Sequence, residues 1–334
     1  MNVDRYARAS LLSPALLTVT AWCLVLGAAP GAIAAQETPV GSPWWPSEWG
    51  ANDERGAINR ITVAKVLEAA ALIREGVVYE LGRVYEPGMP LFGSRHYSLT
   101  IPGRPTGGPL GTNQVVWNDE MFSGEIGQIG TQFDGLGHIG VRVGDEDYYY
   151  NGVRGSDLYG SYGLQKLGIQ EVGVFFTRGV LIDVARYKGV ERLETGYVIT
   201  PEDLEGALRS QGVEVRSGDA VFIHSGHGAL WMEDNEAFLA GEPGIGLDAA
   251  RWLIEREVVL TGHDNWSGEV VPGEDPDRPF EVHQWLIARN GIYNLEALNL
   301  DGLVTDEVWE FAFVFSPVKL KGATGSPGNP IAVR

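Results

Sequence analysis

The sequence predicts a single mixed α/β domain, and three observations carry that expectation. Short apolar runs bounded by glycine or charged residues cluster between about residues 77 and 185. Beyond them, helical and strand patterns alternate. No linker, internal repeat or low-complexity tract divides the chain. Its 334 residues allow a substantial core, and 45 glycines imply many turns and close backbone approaches rather than a helical bundle.

In chain order, residues 1–35 read as an export signal. Arg5 and Arg8 supply a positive start, an apolar run follows from Leu11 through Leu26, and Ala32-Ile33-Ala34 offers small residues where a signal peptidase cuts. Export would place the mature protein in the periplasm or outside the cell. Cleavage would also remove Cys23, the only cysteine, so neither disulfides nor thiol chemistry is expected. No later stretch is apolar enough to span a bilayer. Residues 36–50 read as an extended Pro- and Trp-rich arm, with Trp44, Trp45 and Trp49 packing on the body or on a partner subunit. A homo-oligomer is expected on that basis. The domain proper takes residues 51–334.

Thr62 caps the first helix, in which apolar residues recur at Val63, Val66, Leu67, Ala70 and Ile73 before Gly76 ends it. Val77–Tyr79, Val172–Phe176 and Gly179–Val184 read as strands. Thr200-Pro201-Glu202-Asp203 opens a second helix. It has a capping threonine, proline at the first helical position and acids at the positive end of the dipole; Gly212 closes it. Ala220–His224 and Val258–Thr261 read as buried strands flanking a helix that starts at Asp248. A helix over 282–289 ends at Gly291, and Phe311–Phe315 forms the last strand.

The formal charge of −19 bounds the partners. A surface this acidic repels phosphate backbones and anionic lipid, so no nucleic-acid or membrane partner is expected, and a small-molecule substrate is.

Chemistry-bearing residues concentrate between Gln128 and His138. In an extended strand alternate residues share a face, so Gln128, Gln132 and Asp134 would point together, with Gly130 leaving space between them. Gly135 and Gly137 would permit a turn that brings His138 back over the site. One carboxylate, two amides and an imidazole could then converge on an ion. The same spacing also suits a sheet edge whose amides are tied up in ordinary hydrogen bonds.

This segment resembles the signature of the cyclase superfamily, which includes bacterial kynurenine formamidase and isatin hydrolase. Gly130, Thr131, Asp134 and His138 match that signature, while Gln128 and Gln132 stand where those members carry histidines. The glutamine form resembles the branch containing trans-dienelactone hydrolase. The likeness extends through NDERGAINRIT at 52–62, RGVLIDVA at 178–185, TPEDLEGAL at 200–208, GDAVFIHSG at 218–226 and GHDNWSGEVVPGEDP at 262–276. It implies a swivelling β/β/α fold and a divalent metal. A first metal site maps onto Gln128, Gln132 and Asp134; His283 and Glu296 are the candidates for a second, bridged by Asp134; the catalytic histidine maps onto His138. Amide oxygens are harder donors than imidazole, which favours Mn²⁺ over Zn²⁺ without excluding zinc.

The implied reaction is hydrolysis of a lactone, cyclic amide or arylformamide. The metal would polarise the carbonyl and acidify water, while His138 carries the proton. No Gly-x-Ser-x-Gly elbow offers a serine nucleophile. Two other readings stay open: an exported, non-catalytic small-molecule-binding protein with a decayed metal site, and a dehydratase or cyclase acting on a polyketide-like substrate. His263 and Trp266 are candidate substrate-binding residues after a buried strand, whereas His224 and His227 read as loop.

Overall fold

The computed structural model describes residues 37–334, so the export-signal reading of residues 1–35 lies outside the described residues. Nine strands form its main sheet: β1 Val78–Glu80, β2 Gln132–Asp134, β3 Phe175–Asp183, β4 Ala220–His224, β5 Leu260–His263, β6 Tyr293–Glu296, β7 Glu310–Phe315, β8 Gly325–Pro327 and β9 Ile331–Val333. Across the sheet they run β1-β9-β7-β3-β4-β5-β6-β2-β8.

The centre, β3 through β6, is parallel. Parallel neighbours need crossovers long enough to hold a helix. Three such helices are α1 Pro201–Gln211 before β4, α2 Leu247–Glu255 before β5, and α3 Glu281–His283 before β6, the last continuing as a π-helix over Gln284–Arg289. Thr200 and Asp203 form the reciprocal capping box at the start of α1, and Gly212 ends it in the left-handed conformation. Every residue of β4 is buried, as expected of a strand covered on both faces. The chain is thus the mixed α/β domain that its patterning predicts.

Three sequence expectations change. The strand at 311–315 is not the last, since β8 and β9 follow it and pair with β2 and with β7 and β1. The two runs expected at 172–176 and 179–184 merge into one strand, β3, which starts only at Phe175 and ends at Asp183, because the polar residues between them are satisfied inside the fold. Thr177 Oγ1 donates to the Gly218 carbonyl at 2.5 Å, and the Arg178 guanidinium lies 3.2 Å from the Asp219 carboxylate. The early helix, Val63–Ala70, is capped by Thr62 as predicted, but its apolar stripe faces outward. Val63 is 78% exposed and Leu67 64%, while Lys65 is buried. Lys65 Nζ is drawn in by Asp219 Oδ1, 2.5 Å away. Asp219 so balances two buried cations, and an unpaired buried charge costs about 3–5 kcal/mol. The ion pair therefore outweighs the burial of a valine or leucine, worth about 1.5–3 kcal/mol.

The Trp-rich arm packs on its own body. Trp45 stacks on Tyr148 at 4.8 Å, Trp44 Nε1 donates to the Tyr149 carbonyl, and Arg289 donates to the carbonyls of Val40 and Ser42. Exposed apolar side chains gather instead on a β-ribbon. There Tyr97–Thr100 pairs with Met121–Gly124, and Gly107–Leu110 pairs with Val115–Trp117. Leu99, Leu110, Val116, Trp117 and Met121 lie open on it. Among the described residues no helix is long and apolar enough to cross a membrane.

Candidate metal centre and its cavity

The site is built where β2 joins β6. The two strands are antiparallel, with Gln132 opposite Glu296 and Asp134 opposite Asn294. Side chains alternate along a strand, so these four share one face of the sheet. The intervening Phe133 and Leu295 turn to the other face and are buried, Phe133 stacking on Tyr293 at 5.1 Å. Thr131 pins the entrance to β2: its hydroxyl donates to the Ala297 carbonyl at 2.9 Å and accepts from the Arg83 amide at 2.8 Å. His283, on α3, comes in above this face.

Asp134, His283 and Glu296 are all buried, and each offers one ligand atom within 4.8 Å of the other two. His283 Nε2 lies 3.2 Å from Glu296 Oε1 and 3.8 Å from Asp134 Oδ2. Asp134 Oδ2 is buried with no hydrogen-bond partner. Ligand atoms about 2.1 Å from one cation stand roughly 3–4 Å apart, so these residues fit a divalent ion with little movement. An orphaned carboxylate oxygen beside a second carboxylate is otherwise costly to bury.

The electrostatics agree. Burial, reinforced by the Asp134 charge, pushes the Glu296 carboxyl up to about 7. Burial alone would push the His283 imidazole down, but Glu269 and Glu296 outweigh it and hold it well above the ordinary histidine range. A proton on His283 thus partly neutralises the two carboxylates in the protein without metal, and metal binding would release it.

The candidates fall as follows. Gln128 lies outside the strand, in the turn before it, because Gly130 adopts a positive φ of +60° and breaks the extension. Gly130 opens no room for an ion: a Cβ there would meet the Tyr85 ring at 2.7 Å, so the glycine serves that close approach. Gln128 nevertheless reaches the site, where its Nε2 donates to Asp134 Oδ1 at 3.0 Å. Gln132 Nε2 likewise donates to Glu296 Oε2. Each amide thus presents its NH₂ group to a carboxylate, differing from the expectation of oxygen ligands beside Asp134. The turn from Gly135 closes with the His138 amide on the Gly135 carbonyl at 3.0 Å, and His138 Nε2 comes 3.7 Å from Asp134 Oδ1. Burial pushes the His138 imidazole down, and the neighbouring His283 and Arg95 charges push the same way against the pull of Asp134.

A cavity of about 180 Å³ opens onto these groups, walled by Phe92, Arg95, His138, Trp266 and Phe280 and floored by Gln132, His283 and Glu296. Trp266 therefore lines it as anticipated. His263 does not: it is buried at the end of β5, with Gly268 packed on its ring, and burial pushes it down to about 3. His224 ends β4, where the strand was expected to stop, and is held between Asp183, at 2.8 Å, and Asp264, at 3.8 Å, away from the cavity.

Two participants escaped the sequence reading. Glu269 hydrogen-bonds to His283 Nδ1 and accepts the His283 amide at 3.2 Å, which turns Nε2 toward the carboxylates. Asn294 Nδ2 donates to Glu296 Oε1 at 2.8 Å. The only hint of Glu269 was a carboxylate in an apolar setting, Gly268-Glu269-Val270-Val271; for Asn294 there was none.

Comparison with known proteins agrees with this architecture. Residues 79–270 match the family model described as Putative cyclase, and the chain belongs to that family. A solved structure titled a novel cyclase is 34% identical, with a TM-score of 0.76 over 86% of this chain and 96% of that one. Isatin hydrolase A from Labrenzia aggregata, bound to benzyl benzoate, shares the fold at 20% identity and a TM-score of 0.56, over 81% of this chain and 98% of that one. A protein from Bacillus stearothermophilus described as a predicted metal-dependent hydrolase gives 17% identity and a TM-score of 0.50, over 78% and 98%. A search of curated proteins found no match.

Proposed function

We propose that this protein is a metal-dependent hydrolase that opens a lactone, a cyclic amide or an arylformamide, the lactone leading because the glutamine-type motif resembles that of the trans-dienelactone hydrolase branch. The observation that carries the proposal is the buried Asp134–His283–Glu296 trio, with its orphaned Asp134 oxygen, on the floor of a cavity. Two neighbours described as an isatin hydrolase and a metal-dependent hydrolase support the reading.

A divalent ion held by the trio would supply charge to polarise the scissile carbonyl and to acidify water. Two oxygens and one nitrogen favour Mn²⁺, with Zn²⁺ the alternative. Glu269 fixes the His283 tautomer. Gln128 and Gln132 hold the two carboxylates in place by donating to them, the work of an outer shell. His138, neutral near pH 7 because its pKa is depressed, accepts a proton at the cavity wall and returns it to the leaving group. Trp266, Phe92 and Phe280 exclude water and present flat apolar surface to a ring. Export ahead of residue 36 and self-association are part of the same proposal, resting on the sequence of residues 1–35 and the apolar ribbon at 97–124.

A hydrolysis screen of lactones, cyclic amides and formamides tests it. Turnover of at least one class is expected, lost on EDTA treatment and restored by Mn²⁺ or Zn²⁺. Undiminished turnover by a metal-free preparation would overturn the metal-dependent reading.

A further inference from the structure

Glu242 is a carboxylate sealed inside the protein, 0% exposed, and the groups that donate to it are all neutral. Its Oε2 accepts the Trp266 amide at 2.8 Å. Its Oε1 accepts the Ser267 amide at 2.9 Å and the Ser267 hydroxyl at 2.5 Å. Elsewhere the chain matches a fully buried acid with cations, as Asp219 is matched by Lys65 and Arg178. At Glu242, burial, reinforced by the Glu296 charge, pushes the carboxyl well above the ordinary glutamate range against the pull of its donors. Such a group is costly to bury unless its position matters.

The turn it holds, residues 265–268, carries two parts of the site. Trp266 walls the cavity, stacked on Phe92 at 4.4 Å, and Glu269 follows the turn directly, hydrogen-bonded to His283 Nδ1. Backbone bonds lay residues 242–245 alongside this stretch. Glu242 and Val271 exchange amide bonds at 2.9 and 3.1 Å, and the Ile245 amide donates to the Gly268 carbonyl at 3.1 Å. Gly244 allows the approach, since a Cβ there would meet the Glu269 carbonyl carbon at 2.3 Å. Two successive amides aimed at one point form an anion-binding concavity, and the Glu242 carboxylate fills it. Ser267 extends the link, its Oγ lying 3.0 Å from the Glu269 carbonyl. We propose that Glu242 is a positioning residue, locking the 265–268 turn so that Glu269 stays aligned on His283 and Trp266 on the cavity. This deepens, and in its metal-binding part rests on, the metal-dependent reading above. The arrangement requires a carboxylate: each of its oxygens accepts an amide N–H, whereas a glutamine would turn its NH₂ group on one of those donors.

The test pairs amide hydrogen exchange with calorimetric Mn²⁺ titration. In metal-free Glu242→Gln, the amides of Trp266 and Ser267 are expected to exchange about tenfold faster or more, while those of β4 keep their wild-type rates. Mn²⁺ affinity should fall by about 10–100-fold, as for a lost partner behind a ligand. Ser267→Ala keeps the carboxylate and removes one donor; it should show both effects at smaller size, and it carries the test if Glu242→Gln does not fold. Glu269→Ala and the double variant complete a cycle. Because Glu242 acts through Glu269, the double variant should bind Mn²⁺ within about threefold of Glu269→Ala alone. A carboxylate that serves stability only would lower the melting temperature and leave the Mn²⁺ affinity of folded protein unchanged, which overturns the proposal. Wild-type exchange at residues 266 and 267 in Glu242→Gln, or affinity losses that add in the double variant, overturn it as well. A wild type that binds no Mn²⁺ while Glu242→Gln still loosens the turn loses the metal reading and keeps the lock; Mn²⁺ binding without loosening separates them the other way.

Discussion

Asp134→Ala is expected to remove metal binding and to lower hydrolysis by roughly 10³-fold or more, since the bound ion is worth several kcal/mol to the transition state. Asp134 is the centre of the trio: its Oδ2 is the buried atom without a partner, and it lies between His283 and the amide of Gln128. Loss of metal affinity should exceed the 10–100-fold typical of removing an outer-shell partner. The fold should survive, because without metal Asp134 raises the Glu296 carboxyl and so repels it. That repulsion has a pH signature. The Glu296 carboxyl is raised from 4.5 to about 7, so in metal-free protein its stabilising contribution is fully present below pH 4.5 and is lost as pH rises through 7. Metal-free Asp134→Ala should show a weaker loss over that window. Thermal melts of metal-stripped wild type and variant across pH 4–8, read beside elemental analysis and kinetics, check all three statements. A variant that retains a full complement of metal would remove Asp134 from the ligand set.

His138→Ala is expected to lower kcat by about 10²–10⁴-fold, the range for a proton-transfer group, while metal content stays at the wild-type level. The separation between the two readouts comes from position. His138 Nε2 faces Asp134 Oδ1, the oxygen already bonded to Gln128, whereas the trio uses Oδ2. Burial and the nearby Arg95 and His283 charges depress its pKa, so the acidic limb of the wild-type pH–rate profile should fall below 6.5 and disappear in the variant. Metal lost in step with activity would make His138 a ligand instead.

Much of this arrangement was legible in the sequence, and the parts that were not share a physical cause. Apolar runs and helical patterning located β4, β7 and the capped helix α1, because burial and capping leave local marks. The motif at 128–138 pointed to Asp134 and His138, and the resemblance to His283 and Glu296. The exposed stripe on the Val63–Ala70 helix was misread because a long-range ion pair, Lys65 with Asp219, decides which face turns inward. His263 was placed in the cavity because strand ends carry functional groups, but its imidazole is sealed in at the end of β5 with Gly268 packed on the ring. Gln128 was placed on a strand that Gly130 interrupts, and only the positive φ reveals the break. Glu269 and Asn294 were not anticipated: Glu269 acquires its role from His283 on a separate element, and Asn294 from the face of β6 that its pairing with β2 turns toward the site. The register of β2 on β6 is what sets Gln132 against Glu296, and nothing local to either strand encodes it.

The most direct measurement is anomalous diffraction from crystals of the protein grown with Mn²⁺. The account predicts one strong peak per chain, about 2.0–2.3 Å from Asp134 Oδ2, His283 Nε2 and a Glu296 oxygen. No peak between those three side chains at saturating Mn²⁺, or a peak held by other residues, would contradict it.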